Sequence, residues 1–280
     1  MLTNDSVNEI GYFVPYSSNN LFVNYFPAKE YEKKPVLLII HWMDSRGHVG
    51  NKIYNQIASY FSSHNYPVFI FDQLGSGNSK GQFEYPKKQK NQIITIYNHI
   101  RQKLAKEYTI NSSEIKVIPV AHSIAGVSLM YAVNNGILVD KLIWLGGPPS
   151  HGRSIKKGIL KEYGRTGYLK FRLFGYIDIA SGLIGRPIVQ KLFGFKVRLK
   201  DMNRHMLTSH GASMMKKRPD ISILGIFGTK DEYMTVQDLK TEIPDGSNTH
   251  IKCVIIEEAT HNFETHVHDV MTNIEKFITE

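Results

Sequence analysis

Residues 115–126 read Ile115-Lys116-Val117-Ile118-Pro119-Val120-Ala121-His122-Ser123-Ile124-Ala125-Gly126. The pattern of Ile115–Val120 predicts a strand, and the stretch Val127–Val133 that follows predicts a helix. Ser123 falls on the turn between them. A serine at a sharp strand-to-helix turn projects its hydroxyl out of the sheet. Such a turn needs small residues two positions before and two after, because larger side chains would meet the following helix and the neighbouring strand. Ala121 and Ala125 meet that need with methyl groups, and Gly126 leaves further room for helix–strand packing. The helix N-terminus carries partial positive charge and free N–H groups. The backbone N–H of Ile124 is therefore placed to stabilise an oxyanion formed by attack of Ser123.

Outward from this turn, short apolar runs alternate with helix-like stretches. The runs are Pro35–His41, Pro67–Phe71, Ile115–Val120, Lys141–Leu145, Ile221–Phe227 and Ile251–Ile256. Unbroken apolar strands of this kind suit a parallel sheet buried on both faces. Helices are predicted over Asn51–His64, Lys88–Tyr108, Ile124–Asn134, Val236–Glu242 and Phe263–Thr279. The alternation predicts a doubly wound α/β sheet, mostly parallel and flanked by helices. Glu9–Val14 and Leu21–Phe26 read as an antiparallel lead-in joined by the turn Ser17-Ser18-Asn19-Asn20. The alternation stops after Leu145-Gly146-Gly147-Pro148-Pro149, following the sixth strand, and resumes at Ile221. Residues 1–148 and 220–280 are thus expected to form the core, and residues 149–219 an inserted cap.

Two further strand ends carry chemistry. Ile221–Phe227 leads into Gly228-Thr229-Lys230-Asp231-Glu232, and a carboxylate just past a strand's C-terminal end lies where open α/β sheets place their ligands. Asp231 is the candidate for orienting a histidine, with Glu232 as the alternative; a loop carboxylate or helix N-cap is the plain structural role. Ile251–Ile256 leads into Glu257-Glu258-Ala259-Thr260-His261, which puts His261 in the loop after the last strand. A histidine there can take the serine proton and return it to a leaving group. His122 adjoins Ser123 and is the alternative base, although its side chain is expected to face away from the reaction centre. His266 and His268 read as solvated or packing residues of the last helix.

Ser123, Asp231 and His261 follow three separate strands in the chain order Ser…Asp…His. Here the chain resembles the α/β-hydrolase fold enzymes of the lipase, esterase and serine-aminopeptidase-like type, from about residue 20 to residue 280. Four motifs carry the resemblance. His41-Trp42-Met43 is similar to the His-Gly-x oxyanion loop, and Asp72–Ser79 to an Asp-x-x-Gly-x-Gly-x-Ser loop. Ala121–Gly126 is similar to a Gly-His-Ser-x-Gly-Gly elbow. Gly228–Asp231 and His261 are similar to the acid and base sites. The resemblance implies a second oxyanion donor, the N–H of Met43, and a structural role for the Asp72–Ser79 loop. It departs from the family in Trp42, where glycine is usual, and in the two elbow alanines. Trp42 is expected to narrow the acyl pocket.

Composition narrows the classes. The 280 residues are 42% apolar and 21% charged, with one cysteine, Cys253, so no internal disulfide forms. There is no run of about 18 apolar residues and no secretory leader pattern at Met1–Asp5, so a cytoplasmic protein is expected. No cofactor or metal is implied. The net charge of +9 is uneven: residues 149–219 hold 16 Lys and Arg against 3 Asp and Glu. That basic, aromatic-rich segment could cover an acyl tunnel, lie on an anionic membrane surface or dock an acidic carrier protein, beside the plain reading of a solvated cap. Nucleic acid is not favoured, since no recognition motif accompanies the charge. The expected activity is hydrolysis of a carboxylic ester with an apolar acyl group. The alternatives are an acyl-carrier or coenzyme A thioesterase or acyltransferase, and a non-catalytic scaffold, against which the intact Ser-His-Asp set argues.

Overall fold

The structure, a computed structural model, describes residues 9–30, 32–42, 44–147, 156–157, 159–160, 164–169, 172–173, 189–192, 195–198, 211–244 and 249–280. Strands β1 (Ile10–Tyr16) and β2 (Asn19–Phe26) form the expected antiparallel hairpin, turning at Ser17-Ser18 with Ser17 at φ 52°. The apolar runs become β3 (Val36–Ile40), β4 (Val68–Phe71), β5 (Val117–His122), β6 (Lys141–Leu145), β9 (Ser222–Gly228) and β10 (Ile251–Ile256). β7 (Val189–Leu192) and β8 (Phe195–Arg198) form a separate antiparallel pair.

Among the described residues, eight strands join in one sheet in the order β1-β2-β4-β3-β5-β6-β9-β10. β4, β3, β5, β6, β9 and β10 run parallel, and β2 pairs antiparallel with both β1 and β4. Successive strand residues point to opposite faces, and the apolar runs therefore feed two cores at once. Val36, Leu38, Ile40, Phe69, Phe71, Val117 and Trp144 join one apolar layer. Leu37, Ile39, Val68, Ile70, Ile118, Val120 and Leu145 join the other. Helices α2 (Pro86–Tyr108) and α3 (Ala125–Val133) cover the first face. α1 (Ile53–Ser63) and the C-terminal helix cover the second.

Four helix starts differ from the sequence expectation: α1 begins at Ile53 rather than Asn51, α3 at Ala125 rather than Ile124, and two others for identifiable reasons. α2 begins at Pro86, two residues early, because proline's fixed φ suits the first helical position. The C-terminal helix begins at Val267, not Phe263, because Phe263 is buried with φ 54°, a left-handed conformation that no helix continues through. Most of the 149–219 stretch expected as a cap lies outside the described residues. Within it, α4 (Gly211–Lys216) sends Ala212 and Met215 into the first apolar layer. α5 (Val236–Glu242) opens on a capping box between Thr235 and Asp238, and Val267–Thr279 is α6.

The chain runs from β3 to β4 on one side and later returns to β5 on the other. The loops leaving the C-terminal ends of β3 and β5 therefore diverge, and this divergence opens the crevice where sheets of this type bind ligands.

Candidate active site

Ser123 follows β5 at φ 57°, one of the few non-glycine residues in the left-handed region. Three bonds hold it there. Its N–H donates to the Leu145 carbonyl at 2.8 Å, its own carbonyl accepts from Gly126 N–H at 3.0 Å, and that carbonyl also accepts from the Trp144 indole at 2.9 Å. Trp144 explains the two glycines around it. A Cβ on Gly126 would lie 2.0 Å from the indole, and one on Gly147 1.8 Å. Ile124 is the N-cap residue of α3. Among the described residues no group accepts its N–H, as expected for the first turn of a helix.

Asp231 and His261 are brought together from the ends of β9 and β10. His261 Nδ1 lies 2.7 Å from Asp231 Oδ2, with both side chains buried. The other carboxylate oxygen accepts the N–H groups of Tyr233 and Met234 at 2.8 and 3.0 Å, so Asp231 both caps its own turn and faces the ring. Glu232 Oε2 instead accepts the backbone N–H of His261 at 3.4 Å. The two loops are zipped together: Thr229 N–H donates to Ile256 O and Lys230 N–H to Ala259 O. Gly228 permits this contact, since a Cβ there would sit 2.1 Å from the Ala259 carbonyl. His261 Nε2 is buried and has no hydrogen-bond partner among the described residues. Its ring lies against Gly146, the residue after Leu145, where a Cβ would be 3.1 Å from Nδ1. Leu145 also binds Ser123 N–H, so Ser123 and His261 share one short stretch of β6 end. No hydrogen bond joins the two in this state; such bonds often tighten only around substrate.

His122, the alternative base, has both ring nitrogens engaged. Nδ1 lies 2.6 Å from Tyr54 Oη and Nε2 2.9 Å from the His261 carbonyl. Burial first, then the neighbouring His261, pulls its pKa well below the ordinary histidine value. Trp42, at the glycine position of the oxyanion motif, is half-buried, edge-on to His261 at 6.0 Å and 6.2 Å from His122. It fills one flank of His261. Met43 lies outside the described residues.

The Asp72–Ser79 loop is a clamp. Asp72 accepts the N–H and ring Nδ1–H of His48, both at 2.8 Å, and Asn78 N–H at 2.9 Å. Ser79 Oγ donates to the Asp72 carbonyl and accepts Phe22 N–H. Burial raises the Asp72 pKa, but the His48 hydrogen bond and the neighbouring histidines outweigh it and leave it lowered. Sequence reading missed a buried polar chain behind this loop. Ser128 Oγ donates to Gln89, Gln89 to Gln73, and Gln73 Nε2 to the His41 carbonyl at 2.7 Å. The available signal was Gln89, which continues the apolar face Ile93, Ile96, Ile100 of α2 at helical spacing while being polar. His41 completes the loop by donating Nδ1–H to the Trp42 carbonyl and accepting Gln73 N–H at Nε2. Complete burial lowers its pKa despite the nearby Asp72.

Among the described residues no group of three or more His, Cys, Asp or Glu side chains is arranged to hold a metal, and no helix is long and apolar enough to cross a membrane.

No protein-family model matches the chain, and no curated protein matches it in sequence. Solved structures match it over nearly their whole length. Est1E from Butyrivibrio proteoclasticus, solved with ferulic acid bound, is 18% identical with a TM-score of 0.67, covering 96% of this chain and 98% of its own. DcsB, solved with a substrate analogue, is 14% identical with a TM-score of 0.71, covering 97% and 98%. The esterase Pf2001 of Pyrococcus furiosus is 12% identical with a TM-score of 0.63, covering 98% and 90%. At such identities the likeness is one of fold. The sheet order, the elbow after β5 and these neighbours agree: the chain has the α/β-hydrolase fold.

Proposed function

We propose that the protein is a serine hydrolase that cleaves carboxylic esters of apolar acyl groups. The observation that carries this reading is the buried Asp231–His261 pair at 2.7 Å, with His261 Nε2 left without a partner on the rim that holds Ser123. Ser123 Oγ attacks the acyl carbonyl carbon and its proton passes to His261 Nε2. Asp231 holds the ring with Nδ1–H towards the carboxylate and stabilises the imidazolium. The oxyanion is met by the N–H groups of Ile124 and Met43. The carbon–oxygen bond to the leaving group breaks, and the alcohol departs with the proton from His261. Water then repeats the sequence on the acyl-enzyme, releasing the carboxylic acid and restoring Ser123. Among the structural neighbours, Est1E was solved with ferulic acid and Pf2001 is described as an esterase, which supports ester chemistry on this scaffold.

The test is turnover of p-nitrophenyl esters graded by chain length, with fluorophosphonate labelling. Ser123→Ala is expected to lower kcat by several orders of magnitude, on the order of 10⁶-fold where the nucleophile is essential, and to abolish the label. Full activity in Ser123→Ala would overturn the assignment. The charge of residues 149–219, 16 Lys and Arg against 3 Asp and Glu, favours a second reading in which an acidic acyl carrier or coenzyme A presents a thioester. Faster turnover of acyl-carrier thioesters than of any p-nitrophenyl ester selects that reading.

A further inference from the structure

Tyr54, His122 and two backbone groups form one continuous hydrogen-bonded chain. Trp42 N–H lies 3.0 Å from Tyr54 Oη, Tyr54 Oη 2.6 Å from His122 Nδ1, and His122 Nε2 2.9 Å from the His261 carbonyl. Its direction follows from elementary bonding. A carbonyl only accepts, so Nε2 carries the proton. An uncharged ring has one N–H, so Nδ1 accepts and Tyr54 O–H must donate to it. The Tyr54 oxygen in turn accepts Trp42 N–H. Every donor has an acceptor and no alternative orientation satisfies all three bonds.

The two ends of this chain belong to different loops. Trp42 follows β3 on the oxyanion side of Ser123, and His261 follows β10 on the base side. Three strands, β5, β6 and β9, lie between β3 and β10, so no ladder bond ties these loops directly. The middle of the chain is His122, which is paired in β5 against Leu145 and precedes the nucleophile. Tyr54 and His122 are both buried, so water does not compete for the bonds. Asn51 Nδ2 ties the start of α1 to the Asn262 carbonyl at 3.2 Å, an outer bond between the same loops that bypasses the nucleophile strand.

We propose that Tyr54 and His122 are positioning residues that hold the oxyanion-side and base-side loops at one spacing about Ser123. The inference rests on the hydrolase reading above. The low pKa of His122 fits the role, since a cationic His122 would hold two protons where the chain has room for one, beside a His261 that must become cationic in turnover. Near-attack geometry is sensitive: about 1 Å of misplacement can cost about 100-fold in rate.

The experiment compares kcat and KM on p-nitrophenyl butyrate for Tyr54→Phe, His122→Phe, His122→Gln and the double variant Tyr54→Phe/His122→Phe, with thermal midpoints alongside. Tyr54→Phe and His122→Phe are expected to lose about 10- to 100-fold in kcat with KM little changed. His122→Gln keeps one acceptor and one donor and should recover most of kcat. The double variant should be no slower than the singles, because the residues act as a unit. Folded phenylalanine variants with wild-type kcat, a loss confined to KM, or a His122→Gln variant as slow as His122→Phe would each defeat the proposal. If the phenylalanine variants do not fold, nitrogen NMR of the wild-type imidazole decides. The proposal expects Nε2–H on His122 with no titration between about pH 5 and 8; the opposite tautomer or a titrating ring overturns it. Wild-type labelling at Ser123 separates the two readings. Absent label and turnover defeat the hydrolase proposal, whereas a labelled enzyme indifferent to Tyr54→Phe defeats only this one.

Discussion

Asp231 shows how one residue serves two masters through two oxygens. One oxygen accepts two N–H groups of its own turn, and the other receives His261 Nδ1–H. Asp231→Asn can keep the first set only by presenting its amide N–H₂ to His261. Nδ1 must then accept, the ring proton moves to Nε2, and the base is blocked. Loss of about 10⁴-fold in kcat is expected, with the urea midpoint changed little. A variant within tenfold of wild type would remove Asp231 from the mechanism. At this scale Ser123, Asp231 and His261 were legible because each sits just past a strong strand signal. Tyr54 was not, because a tyrosine on the buried face of a helix looks like any core aromatic; only the fold brings His122 to its hydroxyl.

The elements most faithfully read from sequence were the strands. Lys141–Leu145 and Ile251–Ile256 match β6 and β10 residue for residue: β6 is buried along Leu142–Leu145, as a central parallel strand requires, whereas β10 is the edge strand and buries only Ile251 and Ile256. Loops carry no such periodicity, and the clamp around Asp72 shows what they use instead. Gly47 and Gly77 each approach its carboxylate so closely that a Cβ would sit 2.2 Å from an oxygen. Asp72→Ala leaves the two buried donors of His48 and the part-buried Asn78 N–H facing no acceptor, and a loss on the order of 3 kcal/mol is expected. Urea unfolding measures it; a change below about 1 kcal/mol would show that the clamp is dispensable. Because the clamp and the His41–Gln73 bonds steady the same loop that bears Trp42, activity should fall in parallel.

The molecule as a whole is held by two apolar layers either side of one sheet, and its buried titratable groups set how that stability responds to acid. His41 and His122 have folded pKa values below the unfolded value of about 6.5. Below that pH the unfolded chain binds protons that the folded chain refuses, so stability falls as pH drops through about 6.5, by about 1 kcal/mol per pH unit for each histidine. Asp72 is depressed in the fold, as is Asp44, where burial raises the pKa but the hydrogen bonds and charge of Arg46 outweigh it, and both add a second loss. Their contribution is present above the unfolded carboxylate value of about 3.9 and disappears as pH falls below it. Urea midpoints at pH 8, 6, 5 and 4 should decline in two stages. A flat profile from pH 8 to 5 would mean that these histidines ionise in the folded protein. The basic segment belongs to this scale too. Its charge was plain in the sequence, while its aromatic-rich pattern offered no period from which an arrangement could be read.

The chain has two tryptophans, and each touches a residue of the candidate site. Trp144 bonds the carbonyl of Ser123, and Trp42 lies edge-on to His261. Intrinsic emission therefore originates almost wholly beside the elbow and the base, with no indole in the outer helices to dilute it. The protein carries its own optical reporter: under the proposed mechanism, acylation of Ser123 and its hydrolysis would each take place beside a fluorophore that needs no label.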